Sequence, residues 1–398
     1  MPEKPEFVVT PYEVRGRIDY ERLRVQFGTQ SIGPELKDRL RRLAGGELHP
    51  LLEREVYFSH RDLPWILDEH AKGRPFFLYS GRGPSGPLHT SHLVPFDLCR
   101  WLQERFGVPM YIQITDDEKY WLRPRLTREE TARWARENLI DLLAVGFDPQ
   151  RTHVFVDTRS IAALYPLAVD AAKRIPYSTA KAVFGFPPST NIGLVFYTAL
   201  QTAPSFYPSW VAGRPVPCLI PCGIDQDPHF RITRDIAESL GYPKPALLHS
   251  QMIPGLLGPD RVMSTTGEVA ENAIFLNDPP KTVAKKIRHA FTGGRATVEE
   301  QRRLGATPEI CSVWAAWRAK FAPRAEEFER ITRDCRSGAL LCGDCKEQLI
   351  ERVTGFLAEH AERREKAAEW ADSAIVERPP DGAPGPAQPT SGRASGPA

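Results

Sequence analysis

Short apolar runs that stop abruptly in glycines or acids, several followed by a helical stretch, recur along this chain and leave few folds open to it. Pro75-Phe76-Phe77-Leu78-Tyr79 runs into the loop 80–87, and a helix is expected over 88–106. The next strand, 108–114, breaks at Thr115 into Asp116-Asp117-Glu118-Lys119. Thr127, with Glu129 and Glu130 behind it, opens a helix over 127–145, because a threonine cap and early acids satisfy free N–H groups and the helix dipole. Strands at 153–156 and 217–220 follow, the latter ending in Pro221-Cys222-Gly223-Ile224-Asp225-Gln226-Asp227, with a helix over 227–240 stopped by Gly241. Strands alternating with helices predict an α/β fold, a doubly wound parallel sheet of Rossmann type. From 281 the pattern turns helical and rich in Lys, Arg and Glu, which predicts an all-helical C-terminal domain.

The expected divisions are an N-terminal extension (1–69), a Rossmann-type catalytic domain (70–280), a helical domain (281–375) and a Pro/Gly-rich tail (376–398). In the extension, Leu36, Leu40 and Leu43 have helical spacing, and Ser59-His60-Arg61-Asp62 reads as a helix start capped by Ser59. The tail has too little apolar surface to offset chain entropy and is expected to be disordered. There is no internal repeat.

With 398 residues, 41% hydrophobic and 26% charged, the chain has material for a large core. No apolar run approaches the roughly 18–20 residues of a membrane span, and the N-terminus lacks a signal-peptide core, so a cytoplasmic protein is expected. A net charge of +2 does not by itself suggest a nucleic-acid partner. Seven scattered cysteines argue against a disulfide framework. Cys218 and Cys222 flank an apolar strand and read as small buried residues. Cys342-Gly-Asp-Cys345 has zinc or redox spacing, but no second pair stands near it in sequence, and no protein-bound metal is expected.

Strand ends are where an open parallel sheet meets ligands, which puts Gln113, Glu118 and Lys119 at a site. The turn Ser80-Gly81-Arg82-Gly83-Pro84-Ser85-Gly86 permits close ligand approach, and a helix start beyond it suits phosphate. His89 and His92, three apart, fall on one helical face. The plain alternative is a tight strand-to-helix turn with one buried and one exposed histidine. For Glu118 the plain alternative is an exposed acid at a strand end.

These residues resemble the tryptophanyl-tRNA synthetases of class I, in their eukaryotic and archaeal form. The likeness runs from about Ile18 to Arg364 and includes Thr198–Phe206, Pro221–Arg231 and Gly241-Tyr242-Pro243-Lys244. It implies ATP and L-tryptophan as substrates with Mg2+, a tryptophanyl-adenylate intermediate, transfer to tRNA(Trp), and a homodimer. His89 and His92 match the His-x-Gly-His signature that contacts the ATP phosphates, with Ser91 in place of its glycine. Arg261-Val262-Met263-Ser264 stands where Lys-Met-Ser-x-Ser is expected: Val262 takes the lysine position, and Arg261 and Ser264 become the catalytic candidates. For Arg261 a solvated loop charge is the equal alternative. The resemblance assigns Tyr79, Gln113, Glu118, Lys119, Gln201 and Gln226 to tryptophan, and Arg82, Gly83, Ser91, Gly223, Asp225 and Met263 to ATP. Three functions stay open: a tryptophan–tRNA ligase, a paralogue passing activated tryptophan to another acceptor, and a tryptophan-binding regulator without catalysis.

Overall fold

The computed structural model describes residues 7–9, 14–16, 18–263 and 270–383. Its centre is a seven-stranded sheet: β1 (Gln30–Ser31), β2 (Tyr57–Arg61), β3 (Phe77–Arg82), β4 (Met110–Ile114), β5 (Thr152–Val156), β6 (Cys218–Gly223) and β7 (Ala246–Ser250). Across the sheet the order is β1-β2-β7-β6-β3-β4-β5. The five strands from β7 to β5 are parallel, and β1 and β2 pair antiparallel at one edge. The doubly wound expectation therefore holds for the parallel core, while the chain before residue 70 adds two strands. Those two were hard to read because they are short and polar: Ser59, His60 and Arg61 lie inside β2, and the helix starts only at Leu63, with Asp62 as its cap.

The chain passes from β3 outward through β4 and β5, then returns to the other side of β3 as β6. At that reversal the connections leave on opposite faces, and a crevice opens beyond the carboxyl ends of β3 and β6. The expected strands appear with shifted ends; β3 and β6 each run three residues further, to Arg82 and Gly223, so the loop expected from residue 80 begins only at Gly83.

The helix predicted over 88–106 is divided. Residues Thr90–Leu93 form a 3-10 turn, and α1 (Val94–Phe106) follows. Pro95 explains the break: it has no N–H and its ring would meet the carbonyl four residues back, so it belongs in a helix's first turn. Beyond β4 come α2 (Asp116–Leu122) and α3 (Arg128–Leu143), the latter opened by a reciprocal box between Thr127 and Glu130. The stretch between β5 and β6, without a clear period in sequence, holds four helices, among them α4 (Ile161–Ala172) and α5 (Ile192–Leu200).

After β6, α6 (Asp227–Ala237) begins at a buried clamp. Arg61 on β2 donates to both carboxylate oxygens of Asp227, at 2.7 and 2.9 Å. Burial alone would raise the Asp227 pKa, but hydrogen bonds from His249 and Arg61 hold it at about 2. The clamp fixes the turn that carries Asp225 and Gln226.

The C-terminal part is helical, as expected, and includes α7 (Ser312–Ala316), α8 (Ala325–Ser337) and α9 (Cys342–Trp370). It is not separated from the sheet. One apolar cluster runs from Ile32 through the strands to Leu349, Val353 and Ala374. On α9, His360 and Arg364 both meet the Asp141 carboxylate of α3. Of the expected tail, Val376 is hydrogen-bonded to Val154 of β5, and residues 384–398 lie outside the described residues.

Candidate active site

At the reversal point of the sheet lies a cavity of about 330 Å3. Tyr79, Arg82 and Gly83 reach it from β3 and the turn after it, Gln113 from β4, and Glu118 and Lys119 from α2. Gln201 closes it from the end of α5, and Gly223, Asp225 and Gln226 from the end of β6. His89, Ser91, His92 and Met263 form the remaining wall. Of the residues singled out in sequence, Arg261 is exposed on the hairpin strand Gly258–Val262 and does not line the cavity, whereas Val262 does. Ser264 lies outside the described residues.

One end of the cavity is a chain of polar groups set in aromatic surroundings. The Tyr79 hydroxyl donates to Gln113 Oε1 at 2.5 Å. Gln113 Nε2 donates to both carboxylate oxygens of Asp157, at 2.8 and 3.1 Å. The amide is thereby oriented: its carbonyl faces Tyr79 and the cavity, and its NH2 faces the protein. Tyr197, His229 and Phe230 also face this end. A planar ligand with one ring N–H fits such a place, because a fixed buried acceptor discriminates against ligands that lack the donor.

Asp157 is fully buried, and its proton is held well above the carboxylate range, by burial first and by Asp117 second. Asp117 is raised to about 7, mainly by burial. A carboxyl whose folded pKa is raised stabilises the fold while protonated. That contribution is complete below the ordinary 3.8 and is lost as pH rises through about 7. Asp117→Asn is therefore expected to flatten the pH dependence of Tm between those values, checked by thermal unfolding at several pH values.

At the polar end, Glu118 is buried, accepting from the Thr115 hydroxyl at 3.0 Å and from Lys119 Nζ at 2.8 Å. Gly83 makes this arrangement possible. A Cβ there would stand 1.9 Å from Lys119 Cε and 3.0 Å from Glu118 Oε2. Gly223 is constrained in the same way, since a Cβ would lie 2.3 Å from Asp225 Oδ1. Gln226 Nε2 donates to Asp225 Oδ2 at 2.5 Å. Gln201 Oε1 is buried without a hydrogen-bond partner and is available to a ligand donor.

The two histidines do not share an α-helical face. In a 3-10 turn residues three apart eclipse, and the rings of His89 and His92 stack with centroids 3.4 Å apart. Burial and then Arg82 lower both pKa values well below the usual range, so both rings are neutral at pH 7. His89 Nδ1 is paired with the Ser91 hydroxyl at 2.8 Å, and its Nε2 is buried without a partner. The charge here is on Arg82, whose Nε is also shut off from solvent without a partner. Burial lowers its pKa to about 10, which leaves it a cation at neutral pH.

Asp157, Tyr197 and His229 were not foreseen. Each arrives from a segment with no local motif, and only the cross-sheet register of β4 and β5 brings Asp157 to Gln113.

A site with an oriented amide, a buried acid–lysine pair and a cation beside neutral histidines can hold an amino acid and an anionic co-substrate together. Comparison with known proteins agrees. Residues 71–358 match the model of the class I tRNA synthetases for tryptophan and tyrosine (W and Y). The chain is 49% identical to a tryptophan–tRNA ligase of Pyrobaculum calidifontis, over 92% of this chain and 97% of that one. Among solved structures it is similar to the tryptophanyl-tRNA synthetase of Aeropyrum pernix (TM-score 0.80, 33% identity, 91% of this chain and 97% of that one). It is also similar to that of Encephalitozoon cuniculi bound to tryptophan (TM-score 0.82, 32% identity, 90% and 97%).

Proposed function

Since the chain belongs to the class I tRNA synthetases, in their tryptophan branch, we propose that it activates L-tryptophan with ATP and transfers it to tRNA(Trp). The observation that carries this is the Tyr79–Gln113–Asp157 chain, which turns one amide carbonyl toward the indole N–H. Glu118 and Gln201 hold the amino-acid end, with Lys119 holding the Glu118 carboxylate in place. Gln226 orients Asp225, which meets the ribose beside Gly223.

The tryptophan carboxylate attacks the α-phosphorus of ATP in line. A C–O–P bond forms, the bond to the bridging oxygen breaks, and pyrophosphate leaves with its Mg2+. No side chain acts as a nucleophile. The protein supplies position and charge. Arg82 meets the phosphates as a cation, and His89 and His92 donate neutral N–H bonds. We assign Ser91 a positioning role: its hydroxyl, donating to Nδ1, leaves the His89 proton on Nε2, aimed into the cavity. The tRNA 3′ hydroxyl then attacks the acyl carbon, and AMP leaves.

A homodimer belongs to the same reading. Ile161, Tyr165 and Val169, four apart on α4, are 41%, 52% and 45% exposed and form an apolar stripe suited to a second copy. No helix among the described residues is long and apolar enough to cross a membrane, which is compatible with work in the cytoplasm.

Two measurements test the proposal: tryptophan-dependent pyrophosphate exchange, and charging of tRNA(Trp). Both are expected in the native chain, and Val262→Lys with Ser91→Gly is expected to slow exchange, since the hydroxyl that fixes the His89 tautomer is lost. Exchange without charging would mean a different acceptor. Tryptophan binding without exchange, restored in the double variant, would mean a regulator that has lost the chemistry.

A further inference from the structure

Behind the nucleotide end of the cavity, β2 and β7 meet the first residue of α6. β2 pairs antiparallel with β7, which puts Ser59 opposite His249. β7 pairs parallel with β6, with His249 beside Cys222 and Ser250 beside Gly223. His249 Nδ1 lies 3.1 Å from the Ser59 hydroxyl, and its Nε2 lies 3.1 Å from Asp227 Oδ1. Serine, histidine and aspartate in a row are the parts of a hydrolytic triad. Here all three side chains are fully buried and none lines the cavity, so no substrate reaches the hydroxyl. The row serves something other than nucleophilic attack.

On the ATP site assigned above, we propose that His249 is a positioning residue: it holds Asp227, and through Asp227 the turn 223–227 that presents Asp225 to the nucleotide. Burial opposes the Asp227 charge, but hydrogen bonds from His249 and Arg61 outweigh that, so it stays a carboxylate and only accepts. The ring nitrogen facing it therefore carries a proton. Burial keeps the ring below the usual imidazole range, so it has one proton at pH 7, and that proton is on Nε2. Nδ1 is left as an acceptor, and the Ser59 hydroxyl donates to it. Ser59 thus fixes the tautomer, and His249 passes the constraint on. Nε2 has no other partner, so this carboxylate is all that satisfies its N–H.

Asp227 opens α6 and follows directly on the turn Ile224–Gln226. Arg61 holds the same carboxylate and is itself anchored on the carbonyls of Phe27 and Gly28, at 2.6 and 3.3 Å. An arginine reaches its partner on a long stem with much rotamer freedom. The imidazole is short and enclosed, so it ties Asp227 to β7 with less play. The residues after His249, from Ser250 to Ile253, form another wall of the cavity. One ring thus joins two walls of the nucleotide end. The turn has little slack to absorb its loss, since Asp225 packs directly on Gly223 and is tied to Gln226.

Asn and Gln at position 249 separate the two contacts. An Asn amide reaches where Nδ1 stands, and a Gln amide where Nε2 stands. His249→Asn keeps an acceptor for Ser59 and loses the donor to Asp227; His249→Gln does the reverse. Calorimetric titration of the full chain with Mg2+-ATP, and separately with tryptophan, reads both ends of the cavity. His249→Asn is expected to weaken ATP binding by on the order of 10-fold, the effect of losing one hydrogen bond to a charged group, with tryptophan affinity little changed. His249→Gln is expected to recover most of that loss. Equal ATP affinity in the native chain and His249→Asn overturns the proposal. Parallel loss of ATP and tryptophan binding in both variants also overturns it, since a histidine that only supports the fold would behave so. Titration needs no turnover, so failure of the native chain in pyrophosphate exchange would count against the assigned function alone. A native chain that bound no ATP would overturn both.

Discussion

Arg82→Met is expected to cut tryptophan-dependent pyrophosphate exchange by on the order of 10²–10³-fold in kcat, the usual effect of removing a preorganised charge from a transition state. Where the family's second signature has lysine, this chain has Val262, whose side chain lines the cavity without charge, and Arg261 beside it is exposed and off the wall. Negative charge still moves to the leaving pyrophosphate. Arg82, next to two neutral histidines and with an unpartnered Nε, is the half-buried cation best placed to meet it. Arg261→Met should accordingly change exchange little. Steady-state exchange of both variants decides: an intact Arg82→Met with an inactive Arg261→Met would return the role to the hairpin. Unchanged Tm in both would show that the loss is catalytic.

The second large effect is expected at Glu118. Its carboxylate is buried and shared between Thr115 and Lys119. Glu118→Gln leaves the Lys119 ammonium without its partner and removes the charge facing the substrate's own ammonium. Breaking a buried charge pair costs about 3–5 kcal/mol, and the partial exposure of Lys119 reduces that. A rise of on the order of 10²-fold in KM for tryptophan is therefore expected, with a smaller change in kcat. Calorimetric titration with tryptophan alone checks it. A variant that bound tryptophan normally but failed in exchange would move Glu118 from holding the amino acid to the chemical step.

Much of this site was legible because it is local. Gln113, Glu118 and Lys119 lie within seven residues of one another at a strand end, and Gly223, Asp225 and Gln226 within four. What escaped was set by register or by distance along the chain. Asp157 orients Gln113 from a neighbouring strand, and nothing around it differs from an ordinary turn. The histidine pair was seen, but its geometry was not: one proline converts an α-helical start into a 3-10 turn and a side-by-side pair into a stack. The short strands β1 and β2 were invisible to patterning, since β1 is two polar residues and β2 ends in Ser59-His60-Arg61, leaving no alternation to read.

The end of α9 has a consequence of another kind. β5 is an outer strand of the sheet, and the bridge of Ile375 with Val154 and the salt bridges of Arg159 with Asp372 and Glu377 lay the emerging chain along it. A bare outer strand is a template on which another copy can grow by backbone pairing. Here the chain leaving α9 takes that place, so the same segment keeps neighbouring molecules from polymerising through their sheets.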